Sequence, residues 1–214
     1  SGIGRTIFKP TAAGTILSIV NDNPAGDIGL ILTNVTLDSS TMSGVGTCIN
    51  GSGASVNRLE FVKFILGASD RGINMDNASG ALGGWSVNLC EFSGSGTGIL
   101  LNAATGQLTY TNCRNSCTTG ISLTNSGSKV VVGGASYFSG NTTGISITQQ
   151  INQAINIDAH FDGCTTGINL DTDTGSGNRF IRIRGMFDDC NTAIDATPTG
   201  TGTWTGVDIN GTFR

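Results

Sequence analysis

Charge, proline and histidine are all scarce in this chain. Asp, Glu, Lys and Arg together make up 12% of its 214 residues, Pro occurs 3 times and His once. A disordered chain would carry more charge and fewer β-branched residues, so a folded chain is expected. No long stretch shows an apolar period of about 3.6 residues, which argues against a helical architecture. No apolar run approaches the roughly 18 residues of a transmembrane helix, and no membrane partner is expected. Basic clusters are missing as well, and the net charge is −4. The electrostatic footprint of a nucleic-acid binder is therefore absent. The 6 Cys residues contain no Cys-x-x-Cys pair, which leaves zinc and redox chemistry without support; no metal or cofactor is expected. The opening Ser1-Gly2-Ile3-Gly4 shows neither an initiator Met nor a signal peptide, so a processed product or a fragment of a longer parent is expected. The length suits one continuous domain over residues 1–214.

What the chain does contain is an internal repeat. Gly-Ile recurs as Gly72-Ile73, Gly98-Ile99, Gly120-Ile121, Gly144-Ile145 and Gly167-Ile168, followed by the variant Ala193-Ile194. These Ile residues are spaced 26, 22, 24, 23 and 26 apart, and Ile49 lies 24 before Ile73. Seven residues before the anchor Ile stand Leu66, Phe92, Phe138, Phe161 and Phe187, with Arg114 the exception. Two after it stand Met75, Leu101, Leu123, Ile147, Leu170 and Ala196. Upstream, Leu108 with Tyr110, Ile155 with Ile157, and Ile181 with Ile183 alternate as strands with one apolar face. The same residue types return at the same phase, as in a parallel stack, whereas a meander would reverse it. A β-propeller needs blades of roughly 40 to 50 residues, and the Leu-rich consensus of leucine-rich repeats is missing. The expected fold is all-β, a right-handed single-stranded parallel β-helix of about eight to nine rungs. Rungs are expected to start near Gly4, Asp27, Asn57, Trp85, Leu108, Val130, Ala154, Arg179 and Thr201, with turns at Asn125-Ser126-Gly127 and Gly175-Ser176-Gly177-Asn178.

Four residues before the anchor stand Ser69, Ser95, Cys117, Asn141, Cys164 and Cys190, a column of small residues. Buried free thiols are the simplest expectation there. Disulfides between Cys164 and Cys190, or between Cys90 and Cys113, are the alternative, because each pair falls on neighbouring turns.

Functional groups concentrate on one outward stretch: Tyr137, Asp158, His160, Asp162, Arg182, Arg184, Asp188 and Asp189. Counted from their anchors, Asp158 matches Arg184, His160 matches Tyr137, and Asp162 matches Asp188, so each pair is expected to adjoin across one rung. Glycan hydrolysis needs two carboxylates, about 5 to 5.5 Å apart in retaining enzymes. Asp162 and Asp188 are the candidate pair, with one expected to be held protonated by the other. His160 and Arg184 complete the candidate catalytic set, while Tyr137, Asp158, Arg182 and Asp189 are candidate substrate-binding residues. A lyase would use Tyr137, His160 or an Arg as base. The plainer reading is an exposed ladder in which Asp158 pairs with Arg184 and the rest are solvated or cap turns. A second polar column, Asp76, Asn102, Thr124, Thr148, Asp171 and Thr197, reads as turn chemistry. No regular Thr-x-Thr face matches an ice lattice.

An alternating strand, then Cys-x-Phe or a lone Phe, then Thr-Gly-Ile-x-Leu is the recurring pattern. It appears as Cys90-Glu91-Phe92 with Thr97-Gly98-Ile99-Leu100-Leu101, and as Phe161 with Thr166-Gly167-Ile168-Asn169-Leu170. From Ile7 to Ile209 this resembles the pectin-lyase-like β-helix superfamily, bacteriophage tailspikes and tail fibres in particular. The resemblance implies a virion protein of a phage tail that recognises, and in some members depolymerises, a bacterial surface glycan as a homotrimer. Polygalacturonase-like pieces occur as Asn156-Ile157-Asp158, Ala159-His160-Phe161, Arg182-Ile183-Arg184 and Asp188-Asp189. Their order and glycines differ from that pattern, so its mechanism is not carried over. An extracellular polysaccharide lyase or hydrolase, and a structural spacer or adhesin stalk, are the alternatives.

Overall fold

The computed structural model of the chain describes residues 6–19, 28–51, 56–124, 128–148, 154–171, 176–178, 180–197, 203–204 and 206–214. The expected turn at 125–127, Gly175, and the rung starts at Gly4, Asp27, Arg179 and Thr201 lie outside the described residues. The described residues contain strands, bends and turns and no helix, so none is long and apolar enough to cross a membrane.

Every strand pairing among the described residues is parallel; Ser176–Asn178 pairs separately with Thr203–Trp204, and the other strands stack as a β-solenoid in three ladders. One ladder carries the Gly-Ile anchors. It joins Gly14–Ile19, Gly46–Gly51, the start of Arg71–Asn88, the start of Thr97–Thr111, Thr119–Leu123, Thr143–Ile147, Thr166–Leu170 and Thr192–Asp195. Its Ile column runs as predicted from Ile49 to Ile194 and gains Leu17, paired with Ile49, which the Gly-Ile motif does not reveal. A second ladder joins Ile28–Thr33 and Val56–Glu60 to the ends of the two long strands, then to Ser128–Gly133, Ile155–Asp162, Ile181–Asp188 and Val207–Phe213. The third begins at Thr6–Phe8 and passes through Val35–Asp38, Lys63–Leu66, Glu91–Gly94, Arg114–Ser116 and Tyr137–Ser139. It closes on the C-terminal halves of Ile155–Asp162, Ile181–Asp188 and Val207–Phe213.

Inward residues alternate with outward ones, and no layer could bury its apolar face alone. Phe–Phe pairs 64–92, 138–161, 161–187 and 187–213 stack with ring centroids 4.4 to 5.3 Å apart and planes within 13° of parallel. Two members of this column differ from the expected set. Phe64, not Leu66, pairs with Phe92, and Asn115, not Arg114, pairs with Phe92 and Phe138. Counting back from the anchor fails there because the intervening turn changes length. Between Phe64 and Ile73 it is two residues longer, held by the buried Asp70, whose carboxylate accepts the Gly46 and Gly67 amides at 2.7 and 2.8 Å. Between Asn115 and Ile121 it is one residue shorter. The aromatic column is not broken at Asn115: Tyr110 enters from the second ladder and stands 6.1 Å from Phe92 and 5.8 Å from Phe138.

Asn115 and Asn141 are buried and satisfied. Asn115 donates to the Gly120 carbonyl at 3.2 Å and accepts the Cys117 amide at 3.1 Å, while Asn141 donates to the Cys117 carbonyl at 2.6 Å. The small-residue column is buried at Cys117, Asn141 and Cys164, but Ser69 and Ser95 are exposed. In the polar column, Asn102 donates to Asp76 across the ladder at 2.9 Å.

All six cysteines are free thiols; five are buried and Cys190 is half-buried. Burial pushes the Cys48 and Cys117 thiols up to about 12 and Cys164 up to about 11. At pH 8 we expect one equivalent of a thiol reagent to react quickly, at Cys190, and the others only on unfolding. Fast labelling of two or more thiols in the native state would contradict this burial. Unfolded thiols ionise near their ordinary 9.0 while those of Cys48, Cys117 and Cys164 stay protonated to higher pH in the fold, so their contribution to stability should fall as pH rises from about 9 toward 12.

Candidate functional site

The strands Ile155–Asp162 and Ile181–Asp188 run unbroken through the corner between the second and third ladders. Ile155, Ile157, Ala159 and Phe161 point inward, which turns Asp158, His160 and Asp162 outward. The register places Asp158 beside Arg184, Tyr137 beside His160, His160 beside Met186, and Asp162 beside Asp188. Small residues at the corner, Gly134, Ala135, Ser136, Ala159 and Gly185, leave an open groove of about 780 Å³ along the outside of the stack. Its walls carry Arg114, Tyr137, Asp158, His160, Met186 and Thr212.

Four predicted residues meet at one edge of this groove. The Tyr137 hydroxyl donates a hydrogen bond to Asp162 Oδ2. The Tyr137 ring stands edge-on to His160, centroids 4.8 Å apart at 84°. His160 Nε2 lies 4.0 Å from Asp188 Oδ2, beyond hydrogen-bond reach, and is itself buried without a partner. The bond to Asp162, then burial, raises the Tyr137 phenol above its ordinary value. A phenol held protonated serves as a donor to the carboxylate rather than as a base.

The other candidates are placed apart. Asp158 lines the groove, but no ion pair joins it to Arg184, although the two adjoin in register. The expected Asp158–Arg184 pair is therefore corrected: the two adjoin and both are exposed, but they make no ion pair. Arg182 instead reaches Asp208 on the next layer at 3.4 Å, beside a separate hollow with Phe180 and Asn156. Asp189 is exposed in a turn at φ 50°, outside the groove. Among the described residues no group of three or more His, Cys, Asp or Glu is placed to hold a metal ion.

Arg114 and Met186 belong to the groove and were not among the predicted site residues. Arg114 had left a signal: a cation at a position where every other repeat carries an apolar side chain marks a shifted register or a site, and here it marks both. Comparison with family models, with curated proteins and with solved structures finds no match to this chain.

Proposed function

We propose that this chain is a glycan-recognising β-solenoid of the phage tailspike and tail-fibre kind, binding a bacterial surface polysaccharide through the groove at Tyr137, Asp158 and His160. The observation that carries this reading is the groove itself. It is open along the stack, as a polymer requires, and mixes donors, acceptors and an aromatic ring, as sugar hydroxyls and C–H faces require. The homotrimer and the virion location rest on the sequence resemblance to that group.

A depolymerase is the second reading, favoured by one observation: Asp162 and Asp188 adjoin across a single layer, one bonded by Tyr137 and the other facing His160. Two carboxylates on adjacent layers are the residue types that glycosidic bond cleavage uses.

Incubation with capsular polysaccharides and lipopolysaccharides from a bacterial panel, read by mass spectrometry and binding, separates these readings. For a binder we expect intact glycan, with affinity lowered about tenfold, or about 1.4 kcal/mol, in Asp158→Asn and His160→Ala. Released oligosaccharides that vanish in Asp162→Asn and Asp188→Asn, with folding retained, identify the depolymerase. Neither binding nor release leaves a structural stalk and overturns the proposal.

A further inference from the structure

The αL turns that join the second ladder to the third form one column, Asn34, Phe61, Leu89, Asn112 and Gly134, with φ between 51° and 67°. Each amide from Asn34 to Asn112 donates to a carbonyl on the following layer, so the turns stack directly. Asn and Gly are ordinary occupants of this backbone region, whereas a bulky apolar residue is an outlier. Phe61 and Leu89 are nonetheless there, and they are 39% and 42% exposed. An apolar side chain that is both strained and wet serves neither the core nor solubility.

These two residues line a second hollow of about 310 Å³, together with Glu91, Asn112 and Arg114. Arg114 also lines the groove at Tyr137 and His160, so the two hollows meet at its side chain. In the ladder Arg114 sits between Glu91 and Tyr137. The Glu91 carboxylate is already matched by Lys63 Nζ at 2.8 Å. No ion pair among the described residues involves Arg114, which is exposed. The junction of the two hollows therefore carries an uncompensated guanidinium on a chain of net charge −4.

We infer that Arg114 reads an anionic substituent of the glycan and that Phe61 and Leu89 form an adjoining subsite for the apolar face of a sugar ring, so that the polymer recognised is acidic. This rests on the glycan-binding reading above and adds the substrate class. A guanidinium takes a carboxylate, phosphate or sulfate in a bidentate, charge-assisted pair. The Asp158 carboxylate would repel an anion placed elsewhere in the groove, which confines it to Arg114.

The test compares each polymer of the bacterial panel with its carboxyl-reduced, dephosphorylated or desulfated form, on the native chain and four variants. We expect the native chain to prefer the charged form by about tenfold or more, with affinity falling as salt rises. Arg114→Gln should abolish that preference, and Arg114→Lys should restore part of it. Phe61→Asn with Leu89→Asn should weaken binding by about tenfold while the melting temperature holds or rises, because Asn suits this backbone, as at Asn34 and Asn112. The fourth variant, His160→Ala, reports on the groove alone. Binding that depends on His160 but is unchanged by Arg114→Gln and by removal of the anionic groups overturns the acidic subsite and leaves the groove standing. Binding to none of the polymers overturns both, as does selective capture of an acidic peptide control instead of glycan.

Discussion

Gly144→Ala should destabilise the solenoid by about 3 kcal/mol, a large loss for one methyl group. A Cβ at Gly144 would stand 2.5 Å from the Gly167 carbonyl oxygen and 2.7 Å from the Phe161 ring. Both obstacles are fixed parts of the next layer: one is backbone and the other is held in an aromatic stack. The same clash recurs at Gly120 against Phe138 and at Gly167 against Phe187. Glycine is thus needed at the anchor for close approach, because the carbonyl and the Phe of the next layer fill the space a Cβ would take. Gly133→Ala is the control. A Cβ there meets nothing within 4 Å, and its effect should stay within about 0.5 kcal/mol. Urea unfolding of both variants checks the pair, and equal midpoints would show that the layers have slack the packing denies.

Phe161→Ala should cost about 3 to 5 kcal/mol. Its ring is fully buried between Phe138 at 5.0 Å and Phe187 at 4.9 Å, so truncation opens a cavity that neither neighbour can close without leaving its own layer. Phe213 belongs to the same column but stacks on one side only and is 55% exposed. Its replacement by Ala should cost well under half as much, about 1 kcal/mol. Equal losses at the two positions, in the same denaturation experiment, would mean that the column contributes area but no mutual support.

The anchors and the outward pairings were legible in the sequence because both lie on strands, where one residue advances every column by one position. Asp158 with Arg184, Tyr137 with His160, and Asp162 with Asp188 all adjoin as counted. What failed was counting across turns, whose length the ladders do not constrain. The extra residues at Asp70 and the shortened turn after Asn115 moved Leu66 and Arg114 out of the aromatic column. Tyr110, read as part of an alternating strand, also completes that column, a role that depends on the space Asn115 leaves in three dimensions. The hydrogen bond from Tyr137 to Asp162 was not legible either, because it crosses diagonally from one layer to the next rather than within a matched pair. Nor was the absence of an Asp158–Arg184 bond: adjacency in register brings backbones together, while exposed side chains follow solvent.

Pairing partners in the three ladders are separated by as few as 22 positions, Thr97 with Thr119, and at most 32, Leu17 with Ile49. Loop-closure entropy grows only with the logarithm of length, so winding any one layer onto the last costs nearly the same as winding any other. No step resembles the distant strand closure that slows sandwiches and barrels. Assembly is then accretion from whichever neighbouring layers cohere first, as in other repeat architectures. The layers stacked through Phe138, Phe161 and Phe187 carry the closest-packed rings of that region, and Tyr137, His160, Asp162 and Asp188 ride on the same strands. The proposed ligand face is thus carried on strands whose inward side is a continuous aromatic stack, and it needs no ordering step separate from the winding of those layers.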